Sequence, residues 1–438
     1  MIVRGGSVVT PEGLIQADIA VEDGVIREVG PGLSGAGEEI DAHGLTVMPG
    51  LIDVHVHFNE PGRTEWEGAA TGSRALAAGG GTTFFDMPLN SSPCTVGAAE
   101  FDAKREALER SSVADFGLWG GIVPGNRGAL ADLAARGAIG FKAFMTDSGL
   151  AEFPRCDDLT LYDGMCEAAR LGLPVAVHAE AHELIRPPAG EGVRDFLESR
   201  PVLAEVAAIQ RAALLADEAG AKLHIVHVSS GRGVTAALEA RARGVDISIE
   251  TCLHYLYFTE EDMVRIGAAA KCAPPLRDLS ERKTLWRAVL RGDVDMVASD
   301  HSPAPPEMKT DSNFFRIWGG VAGVQSTLAV LLEAAPPERI ALLTAANPAR
   351  RFGLEGKGTI APGQSADFAL VDLNAEYTVT RESLFQRHGF SPYLGASFRG
   401  AVRRTIRRGE TIFLDGRIVS ESRGKMVRTV HAQSRTHA

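Results

Sequence analysis

The hydrophobic pattern of the central part of the chain alternates between short apolar runs and longer amphipathic stretches. Short runs rich in β-branched residues are typical of strands in a parallel sheet, and apolar positions at helical spacing predict helices between them. We predict helices over 65–78, 201–219 and 279–290. The predicted strands are 50–58, 81–88, 116–123, 139–145, 174–180, 222–229, 245–252 and 294–301. Eight strands alternating with helices predict a (β/α)8 TIM-type barrel, with an open doubly wound sheet as the alternative.

Both ends of the chain carry a different pattern, in which apolar and polar residues alternate along short segments bounded by turn residues. Asp23-Gly24, between two such segments, is typical of a tight hairpin turn. The same alternation returns at 366–371 and 411–418. We therefore predict a small β-sandwich domain built from both termini, and expect the polar tail from about Gly424 to be disordered. The predicted domain boundaries are 1–46, 47–354 and 355–438.

Composition narrows the class of protein. The chain has 438 residues and a formal net charge of −11, which argues against nucleic acid as a partner because that interaction needs a basic surface. Its five cysteines are scattered, as is typical of reduced thiols in the cytoplasm. The chain lacks an apolar run long enough to span a membrane, and we expect neither a membrane partner nor a signal peptide.

Polar side chains follow the predicted strands at the end where barrel enzymes place their active sites. His55 and His57, at the end of the first strand, lie two residues apart and therefore point to the same face. Any one of these polar residues alone has an ordinary structural explanation, but their convergence at one end of a barrel predicts a metal centre. The polar residues that converge there are His55, His57, Lys142, His178, His227 and Asp300.

Lys142 is the unusual member of this group. A protonated lysine, whose ordinary pKa is about 10.4, repels metal ions. Reaction with CO2 removes the positive charge and leaves an anionic carbamate with two oxygens. Such a group can bridge two metal ions, which lie about 3.5–4 Å apart in hydrolytic pairs.

The complete set resembles the cyclic amidohydrolases of the amidohydrolase superfamily, which include dihydroorotases, hydantoinases (dihydropyrimidinases) and allantoinases. The resemblance covers nearly the whole chain and implies two divalent metal ions, zinc being the expected metal and cobalt, iron or manganese the alternatives. It implies that Lys142 is N6-carboxylysine and bridges the two ions. One ion would be held by His55, His57, Lys142 and Asp300, and the other by Lys142, His178 and His227. His224 competes with His227, but the Val-Ser-Ser that follows His227 fits the family better.

Longer stretches of sequence distinguish among these three kinds of enzyme. Residues 57–68, 86–90, 299–309 and 318–323 resemble allantoinases. Asn59 stands where dihydroorotases typically have arginine and hydantoinases aspartate, and the tyrosine that hydantoinases have beyond the lysine is missing. The resemblance implies hydrolysis of allantoin to allantoate in purine degradation. It also implies substrate contacts from Asn59, Asn90 and Ala273, the last at a position where relatives often have serine.

The same resemblance implies the remaining roles. Asp300 would act as general base and then general acid, and the segment 302–320, rich in proline and glycine, would form a mobile rim. A small molecule would be the only partner besides further copies of the chain, since homotetramers are common among relatives. The alternatives are a hydantoinase (dihydropyrimidinase), a dihydroorotase or a non-catalytic family member.

Overall fold

The computed structural model describes residues 1–35, 37–420 and 423–429. The strands are β1 (Ile2–Thr10), β2 (Gly13–Glu22), β3 (Val25–Gly30), β4 (Glu39–Asp41), β5 (Thr46–Pro49), β6 (Leu51–Val56), β7 (Gly81–Asp86), β8 (Asp115–Leu118), β9 (Gly120–Gly121), β10 (Phe141–Phe144), β11 (Val175–His178), β12 (Leu223–Ile225), β13 (Ile247–Cys252), β14 (Met296–Ala298), β15 (Phe368–Thr378), β16 (Ser397–Arg407), β17 (Glu410–Leu414) and β18 (Arg417–Ile418). The α-helices are α1 (Ala69–Ala78), α2 (Ala98–Ser111), α3 (Leu130–Ala135), α4 (Asp158–Leu171), α5 (Val193–Ser199), α6 (Val202–Ala219), α7 (Gly231–Ala242), α8 (Leu253–Tyr257), α9 (Glu260–Ile266), α10 (Leu279–Arg291), α11 (Thr327–Leu332), α12 (Pro337–Ala341) and α13 (Asn347–Phe352).

The strands β6 to β14 form a closed parallel barrel. β6, β7 and β8 pair in that order, and β9 to β14 pair in chain order in a second sheet. β8 and β9 are two parts of one strand separated by Trp119, whose backbone N–H donates to Asp86 O of β7 at 3.1 Å. A parallel bridge between Val56 and His301 joins the first strand to the last. This closure confirms the predicted (β/α)8 barrel and excludes the open sheet.

All eight predicted strands overlap strands of the barrel, and two of the three predicted helices, α6 and α10, begin within one residue of the expected position. The third prediction was wrong at its start, because α1 begins at Ala69 and not at residue 65. Gly68 precedes it with a φ of 82°, a positive value outside helical geometry that keeps the helix from starting earlier. Glu60 then accepts a hydrogen bond from the Ala69 N–H at 2.8 Å, which satisfies one of the free donors of the helix start.

Strands from both termini form one sheet, which confirms that the two ends of the chain build a common β-domain; the strands of the predicted sandwich belong to a single continuous sheet. Its order is β18-β17-β16-β15-β5-β1-β2-β3, and β4 pairs with β1. Asp23 and Gly24 both have positive φ in the turn between β2 and β3, as the predicted hairpin requires. Val8, Ile19 and Phe368 belong to one buried cluster, so strands from both ends of the chain share a core. The boundary predicted between residues 46 and 47 falls within β5, which pairs with β1 and β15 in this sheet.

The segment 423–429 is ordered against the barrel, so the prediction of disorder from about Gly424 was wrong for these residues. Phe116 N–H donates to Lys425 O at 3.0 Å, and Val427 N–H donates to Phe116 O at 2.7 Å. A Cβ at position 424 would lie 1.7 Å from the Ala114 carbonyl oxygen, so this close approach requires glycine. The rest of the predicted tail, residues 430–438, lies outside the described residues.

The described part of the chain contains no helix that is both long enough and apolar enough to cross a membrane.

Candidate metal centre

One cavity of about 480 Å³ opens at the end of the barrel where the strands finish. The structure brings all six predicted metal ligands to its wall: His55, His57, Lys142, His178, His227 and Asp300. Asn90 and Ala273 also line this cavity, as expected of residues that contact a substrate. Parallel strands produce this convergence because their carboxyl ends meet at the same end of the barrel.

His55, His57 and Asp300 form the closest group of potential ligands. The Nε2 atoms of His55 and His57 lie 3.2 and 3.3 Å from Asp300 Oδ1. His55 Nδ1 donates to Glu250 Oε1 at 2.8 Å, so the lone pair on its Nε2 faces the Asp300 carboxylate. His55 thus directs a lone pair at the carboxylate oxygen that His57 Nε2 also approaches, and a cation between these groups would satisfy all three. This arrangement therefore fits a bound divalent metal ion.

Asp300 is held in its ionised form by these neighbours. Burial alone would raise its pKa, but the adjacent His55 and His57 outweigh burial and lower the pKa of this carboxyl below its ordinary value. The residue lies two positions after the end of β14 and has a φ of 45°, in the left-handed region. Strained conformations of this kind cost free energy and cluster at functional sites.

Lys142 meets the conditions for carbamate formation. It is fully buried in β10, and its Nζ has no hydrogen-bond partner in the described structure. Burial lowers the pKa of Lys142 to about 8, although the carboxylates of Glu250 and Asp300 oppose that shift. A substantial fraction of the amine is therefore neutral near physiological pH, which is the form that reacts with CO2. Its ammonium form would lie unpaired among the ligands.

His178 and His227 form the second group, with ring centroids 4.6 Å apart. Burial lowers the pKa of both rings, which keeps them neutral, as metal ligation requires. His178 Nε2 donates to Glu180 Oε2 at 2.8 Å, and Arg200 donates to the same oxygen at 2.6 Å. This chain of hydrogen bonds orients the His178 ring so that Nδ1 remains available as a ligand.

The structure distinguishes His227 from its competitor His224. Both ring nitrogens of His224 already have partners, Ser248 Oγ at 2.9 Å and Glu250 Oε2 at 3.0 Å, and this residue does not line the cavity. His227 Nδ1, by contrast, is buried and has no partner among residues 1–35, 37–420 and 423–429. The geometry favours His227 as the ligand.

Glu250 is an important residue that the sequence reasoning missed. This buried carboxylate of β13 accepts from His55 Nδ1, from His224 Nε2 and, at 3.1 Å, from the backbone N–H of His227. Burial would raise its pKa, but the nearby histidines lower it to about 2. A signal was present, because a glutamate between Ile249 and Thr251 in an apolar strand needs a buried partner.

Asn59 is the one predicted site residue that the structure does not bring to the cavity wall. It has a φ of 63°, and its side chain is fully buried. Its amide donates to Pro303 O at 3.4 Å. The left-handed backbone directs Asn59 toward the rim segment, so a direct substrate contact would require this side chain to turn.

The donors present are imidazole, carboxylate and a lysine amine that can form a carbamate. This combination of nitrogen and oxygen ligands suits zinc, cobalt, iron and manganese. The family model of the amidohydrolases matches residues 46–412 of the chain. The chain belongs to the amidohydrolase family. It is therefore a hydrolase with a centre of the kind that holds metal ions in this family.

Relatives of this amidohydrolase extend the comparison to the full chain. An allantoinase of Solibacter usitatus is 65% identical, covering 98% of this chain and 96% of its own. An allantoinase of Rubrobacter xylanophilus is 57% identical, with coverages of 98% and 97%. The solved structure of an L-hydantoinase (dihydropyrimidinase) from Arthrobacter aurescens superposes with a TM-score of 0.95 at 32% identity, covering 98% and 99%.

Proposed function

We propose that this amidohydrolase opens the cyclic amide ring of (S)-allantoin to give allantoate, as a step of purine degradation. The observation that carries the proposal is the 65% identity to an allantoinase over nearly the whole of both chains. The hydantoinase of similar fold shares only 32% of its residues. A complete set of candidate ligands around one cavity supports an enzyme over a non-catalytic relative.

The proposed site holds two divalent ions. His55, His57, Lys142 and Asp300 would bind one, and Lys142, His178 and His227 the other, with zinc as the expected metal. When bound, the metals polarise the ring carbonyl and lower the pKa of a water molecule to near 7. Lys142 would take part as its carbamate, N6-carboxylysine, an anionic ligand common to both ion sites.

Asp300 would transfer a proton from the attacking water to the departing ring nitrogen. Its lowered pKa keeps the carboxylate ionised, ready to accept a proton from the attacking water at a side-chain oxygen. The water oxygen then bonds to the ring carbonyl carbon as the ring C–N bond breaks. Asp300 delivers the same proton to the departing ring nitrogen, so that the carboxylate is regenerated and no covalent enzyme intermediate forms.

The cavity also carries groups suited to a neutral ureide. Asn90 donates to Ser302 Oγ at 3.2 Å, and both side chains lie at the cavity, where an amide can both donate and accept. Ala273 offers only backbone groups and a methyl side chain there. We propose that Asn90 and Ala273 contact the substrate, and that Asn59 acts on it through the rim segment that it holds.

The remaining parts of the proposal concern the whole protein. We propose a cytoplasmic homotetramer with allantoin as its small-molecule partner, without nucleic acid or membrane partners. The proposed domain division is a barrel over 47–354 and a terminal domain over 1–46 and 355–438.

The first experiment compares three cyclic amides as substrates. Purified protein supplied with zinc and bicarbonate is incubated in parallel with racemic allantoin, dihydroorotate and hydantoin, and ring opening is followed for each. We expect allantoate from allantoin and no turnover of the other two. Opening of hydantoin or dihydroorotate alone would overturn the substrate assignment, and no turnover with two metals bound per chain would favour a non-catalytic relative.

A second experiment tests the role of Asp300. The substitution Asp300→Asn keeps one oxygen that can face a metal but removes the base, and we expect turnover to fall by about 10²- to 10⁴-fold. Metal content is measured on the same samples. Full activity of Asp300→Asn with both metals bound would rule out proton transfer by this carboxylate.

A further inference from the structure

Asp300 lies between two pairs of potential metal ligands. In the barrel, β14 runs between β13 and β6, and Asp300 follows β14. On the β6 side stand His55 and His57, which belong to the centre described above. On the β13 side stand Cys252 and His254, two residues apart at the end of that strand. The catalytic proposal makes no use of this second pair.

The second pair is close enough to Asp300 to share a cation. Potential ligand atoms of Cys252, His254 and Asp300 all lie within 4.8 Å of one another. Both cysteine and histidine are almost completely buried, at 0% and 1% exposure. The carboxylate side chain is 15% exposed, which provides contact with the cavity from which an ion could enter.

His254 gives independent evidence of a missing ligand. Neither Nδ1 nor Nε2 of this buried ring has a hydrogen-bond partner anywhere in the described structure. Buried polar atoms are almost always paired, and an exception needs an explanation such as an ion. His224, a comparably buried histidine, has partners for both nitrogens. The packing around His254 thus leaves a nitrogen donor free beside a thiol and a carboxylate.

We propose that Cys252, His254 and Asp300 form a third cation site, which takes a thiophilic divalent cation such as Zn²⁺ or Cd²⁺ when that cation is in excess over the two catalytic metals. Thiolate and imidazole together select soft and borderline cations. Mg²⁺ and Ca²⁺, which prefer oxygen ligands, do not bind there. Binding releases the thiol proton of Cys252 to solvent.

This site inhibits the enzyme when filled. An ion bound to the β13 side of Asp300 takes up lone pairs of the carboxylate that the proposed function uses as a base. Excess zinc or cadmium therefore reduces turnover, while excess magnesium has no effect. The inhibition rests on the proposed function, but cation binding at this site does not.

Cadmium binding is measured directly on zinc-loaded protein. A Cd²⁺–thiolate bond absorbs in the near ultraviolet, whereas the proposed catalytic ligands include no thiol, so exchange of Cd²⁺ into that centre produces no such band. We expect an absorption band that grows with added Cd²⁺ and saturates at one thiolate-bound Cd²⁺ per chain. The band should disappear in Cys252→Ser. The matched control is Cys156→Ser, which removes an equally buried thiol outside the cluster and should retain the band.

Two further variants keep the test decisive. His254→Gln leaves every thiol in place and should weaken cadmium affinity at least about tenfold. Cys272, whose thiol lies on the cavity wall, is the competing sulfur ligand. A band that survives in Cys252→Ser and disappears in Cys272→Ser overturns the proposal, as does the absence of any thiolate band in the parent protein.

Activity on allantoin separates this proposal from the proposed function. Inhibition by excess zinc that is relieved in Cys252→Ser supports both. A cadmium band without any turnover of allantoin would leave the cation site in place and overturn the catalytic assignment. Turnover of allantoin without a Cys252-dependent band would support the catalytic assignment and overturn the cation site.

Discussion

Glu250 shows how a single buried charge can organise several ligands. Its two oxygens accept from the rings of His55 and His224 and from the backbone of His227. Accepting the Nδ1 proton of His55 fixes the tautomer that leaves Nε2 free as a ligand. The negative charge also offsets part of the positive charge of a metal centre. Glu250 is thus a positioning residue for both halves of the proposed site.

Replacement of Glu250 by glutamine tests this role. Gln has nearly the same shape but carries no charge, and its single amide oxygen cannot accept from both His55 and His224 in place of the two carboxylate oxygens. We expect Glu250→Gln to weaken metal affinity by about 10- to 100-fold, measured by metal content after dialysis against a graded chelator. Glu205→Gln is the matched control, because Glu205 is also buried but accepts from Ser229 and Ser230 instead of a ligand ring. Equal metal loss in both variants would contradict a specific role for Glu250.

Whether a site residue could be predicted from the sequence depended on spacing and on backbone conformation. His55 and His57 were visible because strand geometry places residues two apart on one face. Glu250 was missed because its partners lie on other strands, 23 to 195 residues away. Asn59 was expected at the substrate because of its position after His57. Its positive φ, which the sequence does not reveal, directs the side chain to Pro303 instead.

At the scale of elements, the rim segment 302–320 is held by two buried lysines. Lys271 Nζ donates to three carbonyl oxygens of the segment, those of Phe314 at 2.7 Å, Phe315 at 3.2 Å and Ile317 at 2.5 Å. Lys309, within the segment, donates to Trp318 O at 2.7 Å and to Gly320 O at 2.9 Å. These amines donate hydrogen bonds to carbonyl oxygens of residues 314–320, which have no regular secondary structure to pair them.

Loss of the Lys271 contacts should loosen the rim and affect substrate binding. Two of the residues that Lys271 holds, Phe315 and Ile317, also line the cavity, so their displacement weakens contacts made with bound substrate. We expect Lys271→Met to raise KM by about tenfold, which corresponds to the loss of one charge-assisted hydrogen bond, with a smaller change in kcat. Lys283→Met, at an exposed position of α10, serves as the control and should change neither constant. A fall in kcat at unchanged KM would contradict this account.

The barrel strands were predictable because each contains a short apolar run, and several of these runs end in a polar residue. The start of α1 was not predictable in this way. The apolar pattern at 65–68 continues with helical spacing, but Gly68 has a positive φ that lies outside helical geometry. The ordered segment 423–429 was missed for a related reason. Its stability comes from backbone hydrogen bonds to Phe116, which composition does not encode.

At the scale of the whole molecule, one buried carboxylate connects the barrel to the C-terminal part of the chain. Asp115 of β8 pairs with Lys357 at 3.0 Å and with Arg408, which follows β16. It also accepts from the backbone N–H of Lys425 at 2.9 Å. Burial alone would raise the pKa of Asp115, but Lys357 and Arg408 outweigh it and lower that pKa below its ordinary value.

Substitution of Asp115 should destabilise the protein in a way that depends on pH. Asp115→Asn leaves Arg408 without this partner and Lys357 with Asp367 as its remaining carboxylate, and we expect the free energy of unfolding at pH 7 to fall by about 3 kcal/mol. A carboxyl whose pKa is lowered by folding contributes stability that is fully present above its unfolded pKa of about 3.9 and is lost as the pH falls through the folded value. The difference between parent and variant should therefore shrink below pH 4.

Denaturant unfolding of both proteins at pH 7 and at pH 3 measures this difference. Asp102→Asn is the matched control, because Asp102 pairs with Arg136 at 2.9 Å where both side chains are 34% exposed. Water screens such a pair, so its loss should cost less than about 1 kcal/mol. A difference for Asp115→Asn that is no larger than that of Asp102→Asn, or that persists unchanged at pH 3, would show that the barrel and the C-terminal segments do not depend on this carboxylate for their attachment.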